Sequence, residues 1–209
     1  MRPAYLWGAG AALWLLFFGW YTNLAGPLTP EEVEHYYQYM ASQGRDEAGL
    51  ARMREFLESD TGDDFLMVNV ILMRDPPLRP EGVGPDETAA DVLARYMEYM
   101  WPALLQRACH PVVFGNAVSE APEVWGIENA RRWSNAAMMR YRSRRDMLEI
   151  AATPDFQGPH EFKLAAMEKT LAFPIEASLQ LGDPRFLLAL ILFGVCAGGQ
   201  LALGRLRGA

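Results

Sequence analysis

The sequence predicts an α+β domain held between two membrane-spanning helices. Residues 4–21 and 186–204 contain no charged side chain. At about 1.5 Å of rise per residue, each segment is long enough to cross a hydrocarbon core of about 30 Å. Between them, short apolar runs bounded by turn residues indicate strands, and amphipathic stretches indicate helices. The predicted domains are transmembrane helix 1 at 1–26, a helical hairpin or linker at 27–64, an α+β domain at 65–183, and transmembrane helix 2 with a short basic tail at 184–209.

The first apolar segment is interpreted as an uncleaved anchor, with a cleaved signal peptide as the alternative. Only Arg2 precedes it, and residues 23–25 (Asn-Leu-Ala) make a poor small-x-small cleavage site. Trp7 and Trp20 suit an anchor, because aromatic side chains concentrate at the membrane–water interface. The domain would then be tied to one membrane at two points.

Charge is segregated along the chain. All 26 acidic residues and 15 of the 19 basic ones lie within residues 27–183, a net charge of −11 for this part. Short loops beside membrane spans keep Lys and Arg on the cytoplasmic side, so Arg2, Arg205 and Arg207 predict two cytoplasmic termini, although Arg185 argues for the opposite orientation. We therefore expect a multi-pass protein of the inner (cytoplasmic) membrane with a periplasmic main domain. The negative charge argues against binding to nucleic acid.

Local signals order the elements of the middle region. Thr29 can cap a helix that Pro30 begins, and residues 65–73 form an apolar run typical of a buried strand. Pro174 marks the last strand as an edge strand or a bulge. The predicted elements are helices at 30–42 and 47–58, a strand at 65–73, a helix at 86–107, strands at 111–118 and 133–141, helices at 143–152 and 154–170, and a strand at 171–177. From residue 65 onward the order is β-α-β-β-α-β, the ferredoxin-like arrangement, with two helices before it.

Three segments carry a resemblance to a known family. They are MVNVILMRD at 67–75, residues 96–118, and WSNAAMMRYRSRRDMLEIAATPDFQGPHEFKLAAMEKTLAFP at 133–174. In order and spacing they resemble the DUF1330-like members of the dimeric α+β barrel superfamily. The membrane spans depart from that family, whose usual member is soluble and cytoplasmic. The resemblance implies a homodimer and a cleft, and the polar residues expected near the cleft are Asn69, Arg74, Tyr96, Tyr141 and His160.

Some relatives in the superfamily bind haem through a helix histidine, which makes His160 a candidate ligand. No Cys-x-x-Cys-His or His-x-x-Glu-His spacing supports this, and a histidine bonded to a neighbouring strand is favoured. We therefore expect no cofactor, no metal site and no catalytic residue. Cys109 beside His110 is interpreted as a buried structural thiol rather than as half of a thiolate pair, because adjacent residues rarely face each other.

An arginine-rich stretch stands out in the acidic region. Arg140, Arg142 and Arg144 are candidates for binding an anion or lipid headgroups. The favoured alternative is ion pairing with the acids nearby in sequence, Glu128, Asp146 and Glu149.

Small residues recur every four positions in the second span, at Gly194, Gly198 and Ala202. Such a face lets another helix approach closely. The partner is left open between the first span, a second copy and a foreign subunit. Small residues are also common in membrane helices generally.

These features favour a membrane-anchored, non-catalytic accessory subunit of a larger membrane complex. Its partners would be membrane lipid, the subunits of that complex or a second copy, and a basic soluble protein drawn to the acidic domain. The alternative is a ligand-binding or enzymatic barrel that acts on a small apolar or anionic molecule in its cleft. Simple self-association is a third interpretation.

Overall fold

The structure, a computed structural model, describes residues 3–208, and at residues 154, 155, 157 and 206–208 it describes the backbone alone. The helices are α1 (Pro3–Tyr21), α2 (Pro30–Ser42), α3 (Glu47–Glu58), α4 (Ala89–Gln106), α5 (Arg144–Ala152), α6 (Pro154–Ala166) and α7 (Pro184–Gly208), and the strands are β1 (Phe65–Met73), β2 (His110–Asn116), β3 (Asn135–Tyr141) and β4 (Met167–Ile175). The chain divides into two compact units, one formed by its two ends up to Leu24 and from Ala177, the other spanning Ala25–Glu176.

The second unit is built on one four-stranded sheet. The strand order is β2-β3-β1-β4, and every neighbouring pair is antiparallel. With helices between β1 and β2 and between β3 and β4, this is the predicted ferredoxin-like β-α-β-β-α-β topology preceded by two helices. The α+β prediction for this region is therefore confirmed.

The boundary between α6 and β4 differs from the prediction. Residues 167–170, expected at the end of a helix, instead begin the strand. Residues from Met167 to Ile175 pair with β1, and the register shifts between Leu72 and Met73. The local sequence pattern favours a helix here, but residues 167–170 form a strand because the nine-residue β1 supplies hydrogen-bond partners along its length.

The two faces of the sheet have different surroundings. Met139 and Tyr141 of β3 pack among apolar side chains of α4, α5 and α6, so helices cover this face. Cross-strand partners share a face, and Val68 pairs with Met138 on one side and Phe173 on the other. Because side chains alternate along a strand, these three lie on the opposite face.

That opposite face is apolar at its centre and partly open to solvent. Val113, Leu171 and Phe173 remain 52%, 46% and 43% exposed. We call it the open sheet face; its members, assigned by strand register, are Val68, Val70, Val113, Met138, Leu171 and Phe173.

The α2–α3 hairpin belongs to the same unit as the sheet. As predicted, Thr29 caps α2 and Pro30 occupies its first turn; the structure adds a capping box between Thr29 and Glu32. Leu57 of α3 and Leu148 of α5, both fully buried, lie in one core cluster that joins the hairpin to α5.

Gly62 lies where the chain enters β1, and its conformation excludes a side chain. Its φ is +82°, and a Cβ would lie 2.6 Å from the backbone of Gly26 and Pro27. We expect Gly62→Ala to lower the free energy of unfolding by about 2–3 kcal/mol through left-handed strain and overpacking. Gly126 is the matched control, with φ +72° and open space around it, so Gly126→Ala should cost about 1 kcal/mol. Thermal unfolding of the full-length variants in one detergent measures both; equal losses would contradict the close approach.

In the terminal unit, α1 packs against α7 through close contacts. The indole of Trp7 donates to Gln200 Oε1 at 2.7 Å, and the Cys196 Sγ lies 3.5 Å from the Leu6 carbonyl oxygen. A Cβ on Gly199 would lie 2.7 Å from the Leu6 Cδ2, so α1 and α7 approach closely at this glycine.

One helix within residues 3–208 is long and apolar enough to cross a membrane by length and composition, over Pro184–Arg205 of α7. The structure forms α1 where the first span was expected, but α1 does not meet the same criterion of length and composition. The first span therefore stays a prediction. Arg2, on which the predicted orientation partly depends, lies outside the described residues, as does the side chain of Arg207.

Candidate functional site

Aromatic side chains from α4, α6 and β3 meet on the helix-covered side of the sheet. Ring centroids are 6.1 Å apart for Tyr96 and His160, 4.8 Å for Phe156 and His160, and 6.2 Å for Tyr99 and Phe156. Tyr141 packs in the same core cluster. We call these five residues the aromatic cluster.

Helix geometry brings these rings together. Thr88 and Asp91 form a capping box that fixes the start of α4. His160 follows Phe156 by four positions, so both lie on one face of α6. Tyr96 is 7% exposed, whereas Tyr99, Phe156 and His160 are only partly buried, so the cluster reaches the protein surface.

Burial shifts the pKa of three side chains of the cluster in the direction that favours the uncharged form. It raises the pKa of Tyr96, to which nearby Tyr141 adds, and it raises the pKa of Tyr141 as well. Burial also lowers the pKa of His160, with a smaller contribution from the positive charge of Lys163. At neutral pH the phenols of Tyr96 and Tyr141 are therefore uncharged, and His160 favours the neutral imidazole.

His160 differs from the expected structural histidine. Its Nδ1 is buried and has no hydrogen-bond partner in the described structure, so the expected bond to a neighbouring strand is not made by this atom. Its ring contacts Phe156 and Tyr96 instead. A buried nitrogen without a partner costs about 1–3 kcal/mol, which makes this position unusual for a purely structural role.

The other two predicted cleft residues lie elsewhere. Asn69 is in the middle of β1, and its amide donates to the carbonyl oxygen of Met67 at 2.9 Å. Arg74 follows β1 and bonds to the junction of α6 and β4, with its backbone N–H donating to the Ala166 carbonyl and its guanidinium to the Met167 carbonyl. The structure thus brings together three of the five residues, whereas Arg74 binds at the C-terminal end of α6, beyond His160, which lies in the middle of that helix.

The candidate anion-binding arginines form ion pairs with carboxylates of the same domain. Arg140 is fully buried and donates to Asp64 at 2.6 Å, and Arg142 makes two hydrogen bonds to Asp146 at 2.6 and 2.8 Å. Arg144 lies 3.4 Å from an Asp60 oxygen.

These contacts agree with the ion-pairing alternative, which named Asp146, while the acids opposite Arg140 and Arg144 come from distant parts of the chain. Arg145, next in sequence, binds Glu32 of α2 and lowers the pKa of that carboxyl to about 2. These arginines therefore connect α5 to the hairpin and β3 to the start of β1. Their described ion pairs are all with carboxylates of this domain.

Cys109 is inaccessible. It is fully buried, and burial raises the pKa of its thiol to about 11. Its Sγ lies 3.4 Å from the Arg107 carbonyl oxygen and accepts from the Arg142 backbone N–H. The thiol stays protonated at neutral pH, as a structural role requires.

The small-residue stripe of α7 does not make the contact with α1. A Cβ placed on Gly194 or Gly198 would have no atom within 4 Å, and Ala202 is exposed. Gly199 and Cys196 face α1 instead. The stripe therefore does not form the packing contact between α7 and α1.

Lys163 is a residue that the sequence analysis did not select. It follows His160 by three positions on α6, and its Nζ lies 5.8 Å from the Tyr96 ring centroid. Burial lowers the pKa of its amine. The signal was present in the composition, because Lys163 is one of only two lysines in the chain.

Comparison with solved structures supports the fold. A protein from Rhodopseudomonas palustris, RPA0582, aligns at 19% identity over 66% of this chain and 96% of its own in its methylated form, with a TM-score of 0.52; a second structure of it gives 0.51. A protein of unknown function from Bacteroides fragilis, described as dimeric with a ferredoxin-like fold, aligns at 13% identity over 55% of this chain and 96% of its own, with a TM-score of 0.32. No family model and no curated protein matches the sequence. The RPA0582 likeness bears on the fold alone.

Proposed function

We propose that this protein is a membrane-anchored ligand-binding module that holds a small, largely apolar molecule against the aromatic cluster. The observation that carries the proposal is the buried, unpartnered His160 Nδ1 among aromatic rings. Binding sites for small molecules combine apolar walls with a few polar groups that fix orientation. A hydroxyl or carbonyl on the ligand that hydrogen-bonds to the imidazole would offset the cost of its unsatisfied nitrogen.

The electrostatics restrict the ligand class. Tyr96, Tyr141 and His160 are neutral at pH 7, so the cluster offers hydrogen bonds but no fixed charge pair. The candidate anion-binding arginines are engaged elsewhere. This favours an uncharged molecule with one polar group over an anion.

We further propose that two copies associate through the open sheet face. That face is apolar at its centre, and Val113, Leu171 and Phe173 leave about half of their surface in water. Contiguous exposed apolar surface of this kind marks interaction sites. The family resemblance implies a dimer as well.

Anchoring is the part of the proposal that concerns localisation. We place α7 and α1 in the inner membrane, with the acidic domain on the periplasmic side and both termini in the cytoplasm. Support comes from the apolar length of α7, the uncharged length of α1 and the arginines that flank the spans.

A second candidate function is that of a non-catalytic accessory subunit in a larger membrane complex. The observation that favours it is the stripe of Gly194, Gly198 and Ala202, which α1 leaves open for another helix. The domain's net charge of −11 would attract a basic soluble protein in a salt-sensitive manner. The two functions are compatible, since an accessory subunit can carry a ligand.

His160→Phe separates a binding role from a structural role. We expect the variant to raise the free energy of unfolding by about 1 kcal/mol, because it removes an unsatisfied buried nitrogen and keeps a ring. Benzyl alcohol has a hydroxyl that can bond to the imidazole and toluene has none, so we expect benzyl alcohol, but not toluene, to stabilise the wild type. His160→Phe should abolish that stabilisation. His35→Phe on the exposed face of α2 is the control and should change neither quantity.

Thermal unfolding of the wild type, His160→Phe and His35→Phe, all full-length and in one detergent, gives the comparison. The probes partition into the micelles equally in the three samples, so that effect does not alter the differences between variants. Loss of stability in His160→Phe, with an unchanged response to benzyl alcohol, would show that His160 is structural.

A further inference from the structure

Four positively charged side chains at one end of the sheet have no carboxylate partner. The other arginines around the sheet pair with acids of the same domain, as Arg140 does with Asp64. Among the described residues, none of the four lies within ion-pair distance of a carboxylate, and neither do the acids next to them in sequence, Asp75, Glu128 and Glu168, form an ion pair. The four are Arg74, Arg131, Arg132 and Lys169. In a region with a net charge of −11, uncompensated positive charge at one place requires a reason.

The ends of β1 and β4 place two of these charges beside each other. Arg74 directly follows β1, and its guanidinium donates to the carbonyl oxygen of Met167, the first residue of β4, at 3.2 Å. Lys169 lies two positions further along β4 and pairs with Leu72, two positions before Arg74. The guanidinium and the ammonium therefore belong to the same end of two neighbouring strands.

The loop before β3 brings the other two charges to this end. Lys169 donates to the carbonyl oxygen of Asn129, and its Nζ lies 4.7 Å from the centroid of the Trp133 ring. Arg131 and Arg132 occupy the chain between these two contacts, and both are exposed. Lys169 thus holds the arginine-bearing loop against β4.

Two buried polar atoms at this end have no hydrogen-bond partner among the described residues. They are the Nε of Arg74 and the side-chain oxygen of Asn135, the first residue of β3. Asn135 pairs with Ile71, three positions before Arg74. A half-turn of the asparagine amide exchanges its oxygen for its NH₂ group, so both positions can offer a donor. Buried polar atoms without partners are destabilising and are rare outside sites that bind something.

We propose that this end of the sheet binds a phosphate group through Arg74, Lys169 and the two loop arginines. Arginine holds phosphate oxygens with paired N–H donors, and lysine adds a point charge. The amount of positive charge favours phosphate over carboxylate, because a phosphate monoester carries nearly two negative charges and three acceptor oxygens. A soluble ester and a lipid headgroup present the same group. This site is separate from the aromatic cluster, and the inference does not depend on the ligand proposed there.

Equilibrium dialysis of the full-length protein in a nonionic detergent, with radiolabelled inorganic phosphate at pH 8, tests the site. We expect the wild type to bind phosphate and Arg74→Gln to raise the Kd at least about tenfold, since a charge-assisted hydrogen bond to the anion is lost. Arg132→Gln should act in the same direction, and it changes an exposed side chain with no described hydrogen bond, so the fold is kept. Arg52→Gln on α3 is the matched control. It removes one exposed, unpaired charge elsewhere and should change the Kd by less than about twofold, because solvent and salt screen a distant charge.

Competition experiments identify where the phosphate group comes from. Displacement of the label by glycerol 3-phosphate assigns the site to soluble phosphate esters, and displacement by phosphatidic acid in the micelles but not by glycerol 3-phosphate assigns it to a lipid headgroup. Absence of bound phosphate from the wild type would overturn the inference. Equal weakening by Arg52→Gln and Arg132→Gln, or acetate that competes as well as phosphate, would overturn it too, because either result describes a general attraction of anions to positive charge.

Discussion

Arg140→Met is expected to lower the free energy of unfolding by about 3–5 kcal/mol, the range for breaking one partner out of a buried ion pair. Arg140 is fully buried, and its guanidinium donates to Asp64 at 2.6 Å and to the Ala108 carbonyl at 2.8 Å. Methionine fills much of the same volume but leaves both acceptors without their donor. The expected loss for a chain of this size is about 6–20 °C in Tm.

Arg54→Met is the matched control. Arg54 pairs with Glu34 and Glu58 on the surface of the α2–α3 hairpin, where both acids are more than half exposed. Exposed pairs contribute about 0–1 kcal/mol, so its Tm should shift by a few degrees at most. Thermal unfolding of both full-length variants in one detergent gives the comparison. Similar shifts would show that Arg140 does not hold β3 to the start of β1.

Phe173→Asp is expected to convert the proposed dimer to a monomer. Phe173 lies on the open sheet face, 43% exposed, with Val68 as its cross-strand neighbour. Burying a carboxylate between two apolar sheets without a partner is strongly unfavourable, so we expect the dimer dissociation constant to rise at least about a hundredfold. Sedimentation velocity in a density-matched detergent measures the oligomeric state.

Phe114→Asp makes the same chemical change on the opposite face of the sheet. Phe114 pairs with Ala137 in the register that places it on the helix side, and it is 67% exposed at the edge strand. This variant should remain a dimer. A monomeric wild type, or a dimer that survives Phe173→Asp but not Phe114→Asp, would exclude the open sheet face as the interface.

Much of the fold follows from local patterns. The capping residues Thr29 and Ser143, the apolar run of β1 and the order of the elements predict the topology, since each is set by neighbours in sequence. The start of β4 at Met167 was mispredicted because pairing with β1 overrides the local helical pattern. A pairing between distant strands leaves no signal in a short window.

The candidate site was only partly predictable for the same reason. Arg142 and Asp146 are four residues apart, at the junction of β3 and α5, so their pairing can be predicted from proximity in sequence. Arg140 and Asp64 are 76 residues apart, and only the assembled sheet brings them together. Tyr96, Tyr141 and His160 were selected through family resemblance. Lys163 was missed because a single lysine on a helix is usually solvated.

The most direct test of the binding function is native mass spectrometry of the full-length protein, extracted from its own membranes at native abundance in a mild detergent. We expect a dimer that carries a small molecule, released on denaturation and absent from His160→Phe but present in His35→Phe. Absence of a bound molecule from the wild-type protein would contradict the binding function. If the protein is found without a bound molecule in a larger membrane complex, that result would favour the accessory-subunit alternative.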